Sequence, residues 1–404
     1  MAGRARSWSR THSKDTPGRD PGAGEKRLPE GYADGVELID WSAAQRIGEL
    51  IAGSPARGGV RAASIEPLAR DFAGRVSAYS GLRPTAELPA LEVVDRPEWI
   101  AANLKTMRPL LTPLTEKLDR QKGPLGAPMR AISGLALGAQ VGALTGLLSQ
   151  RVLGQYDLAL LDASVTPRLL LLGPNLAQAA RNSGVDRDEL VLWVTIHEIT
   201  HAVQFSGAPW LREHLGGMLT ELIDGLQVSV AGKPSPGGKL GGLLPKMPDQ
   251  SELREMVERA RRGELLRLTL GEDRWQLVER MQAAMSLIEG HAEHTMDVIG
   301  VEVLPSLTRL RAAMTRRRGQ RGLPWRVLER LMGLELKMRQ YEIGRAFCDE
   351  VVRDGGPQML ARAWSGPEAL PSTAELEQPA LWLSRMRPAE LEEQARTHVP
   401  PVTS

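Results

Sequence analysis

Two histidines and a glutamate form the pattern His197-Glu198-Ile199-Thr200-His201, which could bind a metal ion and activate water. Residues four apart lie on one face of a helix, so both imidazoles could reach a single zinc ion. A zinc ion lowers the pKa of its bound water molecule, to about 7. Glu198 is placed to accept the proton of that water and to pass it to a leaving amine. The spacing therefore predicts a zinc-dependent hydrolase with Glu198 as its general base.

A catalytic zinc ion usually has three protein ligands and a water molecule, so a further ligand is required. The extended pattern HExxHxxGxxH would supply a third histidine, but Gln204 and Gly207 stand at its glycine and last histidine positions. Nineteen residues separate Glu221 from His201, a spacing used by thermolysin-like enzymes. The simpler interpretation of Glu221 is a solvated acid in the segment TELIDG.

The later segment SLIEGHAEHTMD offers a different set of ligands. Its first acid, Glu289, is separated from His201 by 87 residues. Glu293, one helical turn further on, could hydrogen-bond a ligand histidine. His291 and His294 add imidazoles that could bind the metal themselves. These residues favour Glu289 as the third ligand and leave the other candidates open.

Peptide hydrolysis also needs a donor for the negative charge that develops on the carbonyl oxygen. The amphipathic segment GLELKMRQYEIGRAF carries several polar groups, among them Arg339 and Tyr341. We predict Tyr341 as the catalytic donor, with Arg339 as the alternative. The simpler interpretation is that these side chains lie on an exposed helical face or are satisfied within the core.

The metal-binding pattern is predicted to lie on a capped helix that follows two strands. Asp186 and Glu189 have the spacing of a capping box, the run DELVLWVTIHEITHAVQF is apolar at helical period, and Gly207 and Pro209 end it. Before it, LGQYDLALLDASVTPRLLLLGPN contains two short apolar runs divided by turn residues, which is typical of strands. An exposed strand beside such a helix could pair with an extended peptide.

Most of the remaining chain is predicted to be helical, so the fold class is mainly α with a small β-sheet (α+β). Further helices are expected at 41–53, 67–81, 97–121, 131–148, 251–262, 275–299 and 325–353. A Gly/Pro-rich loop is expected at 228–250, and irregular surface structure after Gly356. The predicted organisation is a disordered tail at 1–35, an N-terminal helical region at 36–155, a catalytic region at 156–390 and a C-terminal tail at 391–404.

A glycine at every fourth position marks the most apolar of these helices: Gly134, Gly138, Gly142 and Gly146. Such a series lets two helices approach closely, as in membrane dimers. The apolar run of about 18 residues is at the short limit for crossing a bilayer. It also includes polar side chains. We therefore predict a close-packed helix in a soluble core and expect no membrane partner.

Charge and cysteine content limit the partners and the compartment. The 51 basic and 49 acidic residues nearly balance, so no polyanionic partner is implied. The arginines of the segment TRRRGQRG lack interleaved aromatic residues, which favours a solvated loop over a nucleic-acid site. A single cysteine, Cys348, and a start without an apolar signal region indicate a protein of the reducing cytoplasm.

Several stretches resemble the actinobacterial zincin-like family of hydrolases or zinc-dependent metalloproteases, especially its coenzyme F-420 biosynthesis-associated branch. They are LGQYDLALL, DELVLWVTIHEITHAVQF with APWLREHL, SLIEGHAEHTMD, and LMGLELKMRQYEIGRAF followed by LPSTAELEQPALWLSRM. The resemblance extends over about residues 36 to 390. It implies a mostly helical, zincin-like metallopeptidase architecture with zinc held by His197, His201 and Glu289. It implies no particular substrate.

The predicted function is therefore zinc-dependent hydrolysis, with a peptide as the expected substrate. The alternative is a non-proteolytic metal-dependent hydrolase or accessory protein that acts on a small amide metabolite linked to deazaflavin coenzyme metabolism. An open groove along the strands would favour a peptide, and a closed pocket would favour a metabolite. A third interpretation is a purely structural zinc protein, but such a protein has no need of a general base such as Glu198.

Overall fold

The computed structural model of the chain consists mainly of α-helices and describes residues 38–53, 60–121, 127–225, 272–319 and 334–387. The helices before the metal-binding pattern are α1 (Trp41–Ala52), α2 (Ala62–Ser80), α3 (Arg96–Gln121), α4 (Ala127–Ser149) and α5 (Gly173–Ser183). The longer helices that follow are α6 (Arg187–Gly207), α7 (Trp210–Gly225), α8 (Glu272–Val303), α9 (Leu307–Gly319) and α10 (Leu334–Gly355). The predicted class, mainly α with a small β-sheet, is confirmed.

The described residues form one sheet of three short strands: β1 (Leu91–Val94), β2 (Gly154–Asp157) and β3 (Arg168–Leu172). β3 is central and pairs in parallel with β1 and antiparallel with β2. β2 and β3 confirm the two strands predicted before the metal-binding helix. β1 was not predicted, because its pairing partner lies far along the chain and its four residues carry little local signal.

Two hydrophobic cores lie on opposite faces of β3, which explains its continuous leucine run. Leu169 and Leu171 belong to the larger core, together with residues of α2, α6, α8 and α10. Leu170 and Leu172 belong to a smaller core with residues of α1 and α3. Successive side chains of a strand point to opposite faces, so a strand covered on both sides is apolar throughout. The helix with the metal-binding pattern therefore packs on one face of the sheet.

The start of α6 is fixed by a side-chain cap, as the sequence predicts, but the capping box is incomplete. Asp186 accepts hydrogen bonds from the backbone N–H groups of Asp188 and Glu189, each at 2.9 Å. The Glu189 carboxylate does not return to the cap. It accepts bonds from the backbone N–H and hydroxyl of Ser306, at 3.1 and 3.2 Å, and so ties α6 to the residue before α9. A tertiary contact has replaced the local one.

The glycine series of α4 forms the seam against which α1 packs. A Cβ at Gly138 or Gly142 would collide with the carbonyl oxygen of Asp40 or Ala44. The amide of Asp40 also donates to the carbonyl oxygen of Gly134 at 3.0 Å. The close packing that the series predicts therefore occurs within this chain, between two of its own helices.

The prediction of a core helix holds for only part of the surface of α4. The window Ile132–Ser149 is long and apolar enough, by length and composition, to cross a membrane, and 33% of it is buried. Away from the glycine seam, Ile132 and Leu135 are 64% and 52% exposed. The glycine face is packed, and part of the remaining apolar surface is not.

The prediction of irregular surface structure after Gly356 is wrong for the described part of that segment. It contains the short helices α11 (Pro357–Ala361), α12 (Thr373–Glu377) and α13 (Pro379–Met386). A complete capping box at Ser372 and Glu375 starts α12. Trp382 is fully buried and packs against Phe347 of α10. The segment is folded because its tryptophans complete the larger core, which short helices with many prolines do not reveal in sequence.

Most of the other predicted helices are confirmed, two observed helices were not predicted, and some predictions lie outside the described residues. The helices expected at 41–53, 67–81, 97–121, 131–148 and 275–299 correspond to α1, α2, α3, α4 and α8. α5 and α7 were not predicted. The expected helix at 251–262, the loop at 228–250 and both terminal tails lie outside the described residues, as does the first part of the helix expected at 325–353.

The glycine seam can be tested by a pair of alanine substitutions with opposite expected effects. Gly142→Ala should lower the free energy of unfolding by about 1–3 kcal/mol, because the new methyl group overpacks the contact with Ala44. Gly217 is exposed in the interior of α7, and a Cβ there would meet no atom within 4 Å. Gly217→Ala should therefore stabilise by about 0.5–1 kcal/mol. Denaturant unfolding would measure both, and equal effects would contradict the assigned seam.

Candidate metal centre

Three predicted metal ligands converge where α6 meets α8. The Nε2 atoms of His197 and His201 lie 3.2 Å apart, and Oε2 of Glu289 lies 3.6 Å from each of them. All three ligand atoms lie within 4.8 Å of one another. The structure thus brings together the two histidines of one helix and a glutamate that is 88 positions beyond His201 in the chain.

The separations of these atoms fit a zinc ion. Two nitrogen ligands with bonds of about 2.0–2.1 Å in a tetrahedral site are separated by about 3.3 Å. The observed 3.2 Å between the two Nε2 atoms is close to that value. Two imidazoles and one carboxylate are also a donor set that catalytic zinc sites use. The described residues therefore fit a three-ligand zinc site with a fourth position left for water.

The position of Glu289 depends on the packing of α8 against α10. Gly290, the next residue, has no side chain, and a Cβ there would collide with the backbone of Gly344. A Cβ at Gly344 would collide with the carbonyl oxygen of Ser286. Because both crossing residues are glycines, the two helix backbones approach closely on either side of the ligand.

Gln204 connects the ligand His201 to α8. His201 Nδ1 donates to Oε1 of Gln204 at 2.9 Å, which leaves Nε2 as the metal-binding nitrogen. The Gln204 amide nitrogen donates to the carbonyl oxygen of Ile288 and to Nδ1 of His291, both at 2.9 Å. Gln204 is fully buried. It stands one helical turn after His201, so its spacing could have identified it as a supporting residue.

Glu198 is buried beside the three ligands and is oriented by the edge of the sheet. Its Oε2 accepts a hydrogen bond from the backbone N–H of Tyr156 in β2 at 2.9 Å. A Cβ at Gly154 would lie only 2.7 Å from Cγ of Glu198, so the strand approaches this closely because residue 154 is glycine. Burial raises the pKa of Glu198, although the charges of His197 and His201 lower it. A raised pKa suits a carboxylate that must take up and release a proton.

Opposite charges dominate the ligand cluster. Burial is the largest single influence on His201 and would lower its pKa. The charge and hydrogen bond of Glu289, the charge of Glu198 and the bond to Gln204 together outweigh burial and raise that pKa to about 9. Burial would raise the pKa of Glu289, and the neighbouring histidines instead hold it well below its usual range. The Glu289 carboxylate is therefore ionised and faces two imidazoles, which is the charge state required of a zinc ligand.

The other residues proposed as ligands occupy different positions. His291 is buried, packs against the ring of Trp364 and has a pKa lowered to about 3 by burial and by the charges of His294 and His201. His294 Nδ1 donates to Asp349 at 2.6 Å, and its Nε2 lies 2.6 Å from the hydroxyl of Tyr79. Neither histidine belongs to the group of ligand atoms found among the described residues.

The two remaining candidates are Glu221 and Tyr341. Glu221 is exposed on α7 and does not belong to the described metal-binding group. Tyr341 lies on α10, and its side chain is outside the described part of the structure. Its predicted role therefore stays a prediction.

A cavity of about 380 Å³ opens onto Glu198 and onto the ligands His197 and Glu289. Its described lining residues come from the segment before β2, from α6, from α8 and from the end of α9: Arg151, Val152, Leu153, Gly154, Trp193, Val194, His197, Glu198, Glu289, Glu293 and Arg317. The volume is in the range of sites that bind small molecules or short peptide segments.

The fold and this site define a helical metallohydrolase. The chain belongs to the zincin-like metallopeptidase family, whose model matches residues 39–383. A crystal structure from Chloroflexus aurantiacus, described as a candidate hydrolase with a novel fold, is similar with a TM-score of 0.61 and 29% sequence identity. The match covers 86% of this chain and 98% of that one. Comparison with curated proteins gives no match. The family implies a metal ion, typically zinc, which agrees with the donor set.

Metal analysis of purified protein would test the ligand assignment. We expect about one zinc ion per chain in the wild type and its loss in Glu289→Gln, because the amide removes the anionic ligand while keeping the shape. The exposed Glu221→Gln is the matched control and should retain zinc. Zinc that remains bound in Glu289→Gln, or is lost in Glu221→Gln, would reject Glu289 as the third ligand.

The role of Gln204 predicts a change in zinc affinity. Gln204→Met removes the acceptor for His201 Nδ1, and supporting residues of this kind typically change metal affinity by about 10–100-fold. Competition with a chelator would measure the dissociation constant, and Gln45→Met on the exposed face of α1 would serve as the control. An unchanged zinc affinity in Gln204→Met would show that His201 does not depend on this bond.

Proposed function

We propose that the protein is a zinc-dependent peptidase. The observation that supports the proposal most directly is the position of Glu198. Its carboxylate is buried beside the convergent ligand atoms of His197, His201 and Glu289, and it is fixed by the backbone N–H of Tyr156. A purely structural metal site would not require a buried acid at this position, since burial of an unneeded carboxyl group is unfavourable.

Each residue has a defined part in hydrolysis. His197, His201 and Glu289 would hold the zinc ion, which supplies Lewis-acid activation of water and of the substrate carbonyl. Glu198 accepts the proton of the attacking water and later donates it to the leaving amine. The N–H of Tyr156 keeps one carboxylate oxygen of Glu198 occupied, so the other oxygen is directed towards the reacting groups.

The outer edge of β2, which pairs with no other described strand, supports a peptide as the substrate. Gln155 is the Cα partner of Leu170 across the antiparallel pair, and Leu172 donates to the carbonyl oxygen of Leu153. In such a pair, the backbone groups of successive residues alternate between bonding the partner strand and pointing away from it. The backbone groups of Gly154 and Tyr156 therefore point away from β3, and the N–H of Tyr156 accordingly bonds Glu198. An extended peptide could add to the strand at Gly154, which also lines the cavity.

For the oxyanion we propose Tyr341 as the donor. It lies on α10, the helix that packs against the ligand helix α8. We also propose a cytoplasmic location, because the single cysteine, Cys348, is buried and the chain has no second cysteine with which to form an internal disulfide.

A second candidate function is hydrolysis of an amide in a small metabolite. The cavity volume of about 380 Å³ suits a small ligand as well as a short stretch of peptide. The resemblance to the actinobacterial, coenzyme F-420-associated branch favours this candidate, with deazaflavin coenzyme metabolism as its context. Both candidates use the same chemistry at Glu198 and differ in what occupies the cavity.

Glu198→Gln tests the proposed chemistry. The amide cannot accept the proton, so we expect kcat for any amide substrate to fall by about 10²–10⁴-fold while zinc remains bound. The assay would compare the zinc-loaded wild type and variant on a library of peptides and on N-acyl amino acids. Full activity in a zinc-loaded Glu198→Gln would refute a general-base role. Cleavage of N-acyl amino acids without cleavage of peptides would favour the second candidate.

A further inference from the structure

A second cavity, of about 480 Å³, adjoins the cavity at Glu198 and the metal ligands, which we call the metal cleft. Arginine side chains form part of its lining. Its described lining residues are Arg96, Gln150, Arg151, Asn175, Gln178, Ala179, Asn182, Ser183, Ala313, Arg316 and Arg317. Four of the eleven are arginines, and none of these described residues is acidic. We call this cavity the arginine pocket. Two of its arginines, Arg316 and Arg317, belong to the basic segment TRRRGQRG. They lie on α9 rather than in the solvated loop that the segment predicts.

Arg96 is the most informative residue of the arginine pocket, because it is buried and pairs with no acidic residue in the described part of the chain. Its guanidinium donates to Oδ1 of Asn175, to the carbonyl oxygen of Ala52 and to Oε1 of Gln178, at 2.8, 2.7 and 2.9 Å. All three acceptors are neutral, and they use three of the five N–H donors of a guanidinium. Burial lowers the pKa of Arg96 without a balancing carboxylate among the described residues. Buried charges are normally paired, and an anion would supply the charged partner that Arg96 lacks among the described residues.

The ends of three helices offset only part of this charge. α4, α5 and α9 all end at the arginine pocket, and each helix C-terminus carries about half a negative charge. Together they would contribute about one and a half negative charges. Arg151 and Arg317 also have interaction partners of their own, so Arg96 and Arg316 are the arginines that an anion would face. The negative charge of the helix ends is also spread over several backbone carbonyl groups. A guanidinium instead presents two parallel N–H groups that fit a planar pair of acceptor oxygens. A carboxylate or phosphate matches that geometry.

The arginine pocket and the metal cleft adjoin each other and share two lining residues. Arg151 and Arg317 line both cavities, and the Arg317 guanidinium donates to the carbonyl oxygen of Arg151 at 2.9 Å. Gly154 lies three residues after Arg151 and packs against Glu198. Three residues of backbone span at most about 11 Å. A molecule of three extended residues could therefore occupy both cavities at once.

We propose that the arginine pocket binds an oxyanion, a carboxylate or a phosphate, carried by the substrate within about 11 Å of the amide that is hydrolysed with Glu198 as general base. This inference rests on the proposed function, because it identifies the class of substrate for the same site. It limits the substrate to a molecule with an anionic group near the cleaved bond, such as a peptide close to its C-terminus or an acidic metabolite.

Anion binding by itself is the first test, and it needs neither metal nor turnover. Calorimetric titration of the metal-stripped protein with inorganic phosphate, and separately with glutarate, would be carried out at constant ionic strength with chloride as the reference ion. Arg316→Ala should weaken binding by about tenfold or more, since a hydrogen bond to a charged group contributes about 1.5–3 kcal/mol. Arg181→Ala is the matched control: Arg181 is exposed on α5 but does not line the pocket.

The outcomes separate clearly. Binding of either anion that is weakened in Arg316→Ala and unchanged in Arg181→Ala would support the proposal. A stronger response to phosphate would indicate a phosphorylated substrate, and a stronger response to glutarate a carboxylate. Absence of anion binding above chloride in the wild type, or equal weakening in both variants, would overturn it.

The link to the substrate is tested with zinc-loaded Glu198→Gln, which should bind a substrate without cleaving it. A tetrapeptide with a free C-terminal carboxylate should bind at least tenfold more tightly than its amidated form, and inorganic phosphate should compete with it. The same comparison would be made between a phosphorylated and an unphosphorylated peptide. If neither the carboxylate nor the phosphate strengthened binding, the link would be overturned. If zinc binding and hydrolysis fail while phosphate still binds through Arg316, the proposed function is wrong and the anion site remains.

Discussion

The contact between α6 and α8 is the interaction on which the candidate metal centre depends. His197, Glu198 and His201 are fixed relative to one another by the helix that carries them, but Glu289 is placed only by the packing of a second helix. Gln204 spans this junction by bonding His201 on one side and the backbone of Ile288 on the other. A shift of α8 would therefore disturb the third ligand and the orientation of His201 together.

Close backbone approach recurs wherever the structure positions a functional group. Gly290 and Gly344 let α8 and α10 cross next to Glu289, and Gly154 lets β2 reach Glu198. At each place the space for a Cβ is already filled by another backbone or by the side chain of the site. The rigidity of the site then follows from packing, because a close-packed interior deforms little around fixed backbones.

Charge is distributed unevenly between the metal cleft and the adjoining arginine pocket. Near the ligands the carboxylates of Glu198 and Glu289 face imidazoles, while the far end is lined by Arg96, Arg151 and Arg316. Burial strengthens the electrostatic interactions of Glu198 at one end and of Arg96 at the other. A cation is therefore favoured at one end and an anion at the other, so a substrate with an anionic group would bind in one direction. Orientation of this kind contributes to hydrolysis by holding the scissile amide near the base.

The sequence by itself determined what depends on short-range geometry. The i, i+4 spacing of His197 and His201 on a capped helix, the two strands before it and the mainly helical class all follow from local periodicity and caps. It also favoured Glu289, although the choice over Glu221 needed the family resemblance as well. Only the tertiary structure decided the pairing of β1, the roles of Gln204 and Gly154, and the arginine pocket. These features join residues that are far apart in the chain, and such contacts leave little trace in local patterns, because the same residue types serve equally well on an ordinary helix or loop.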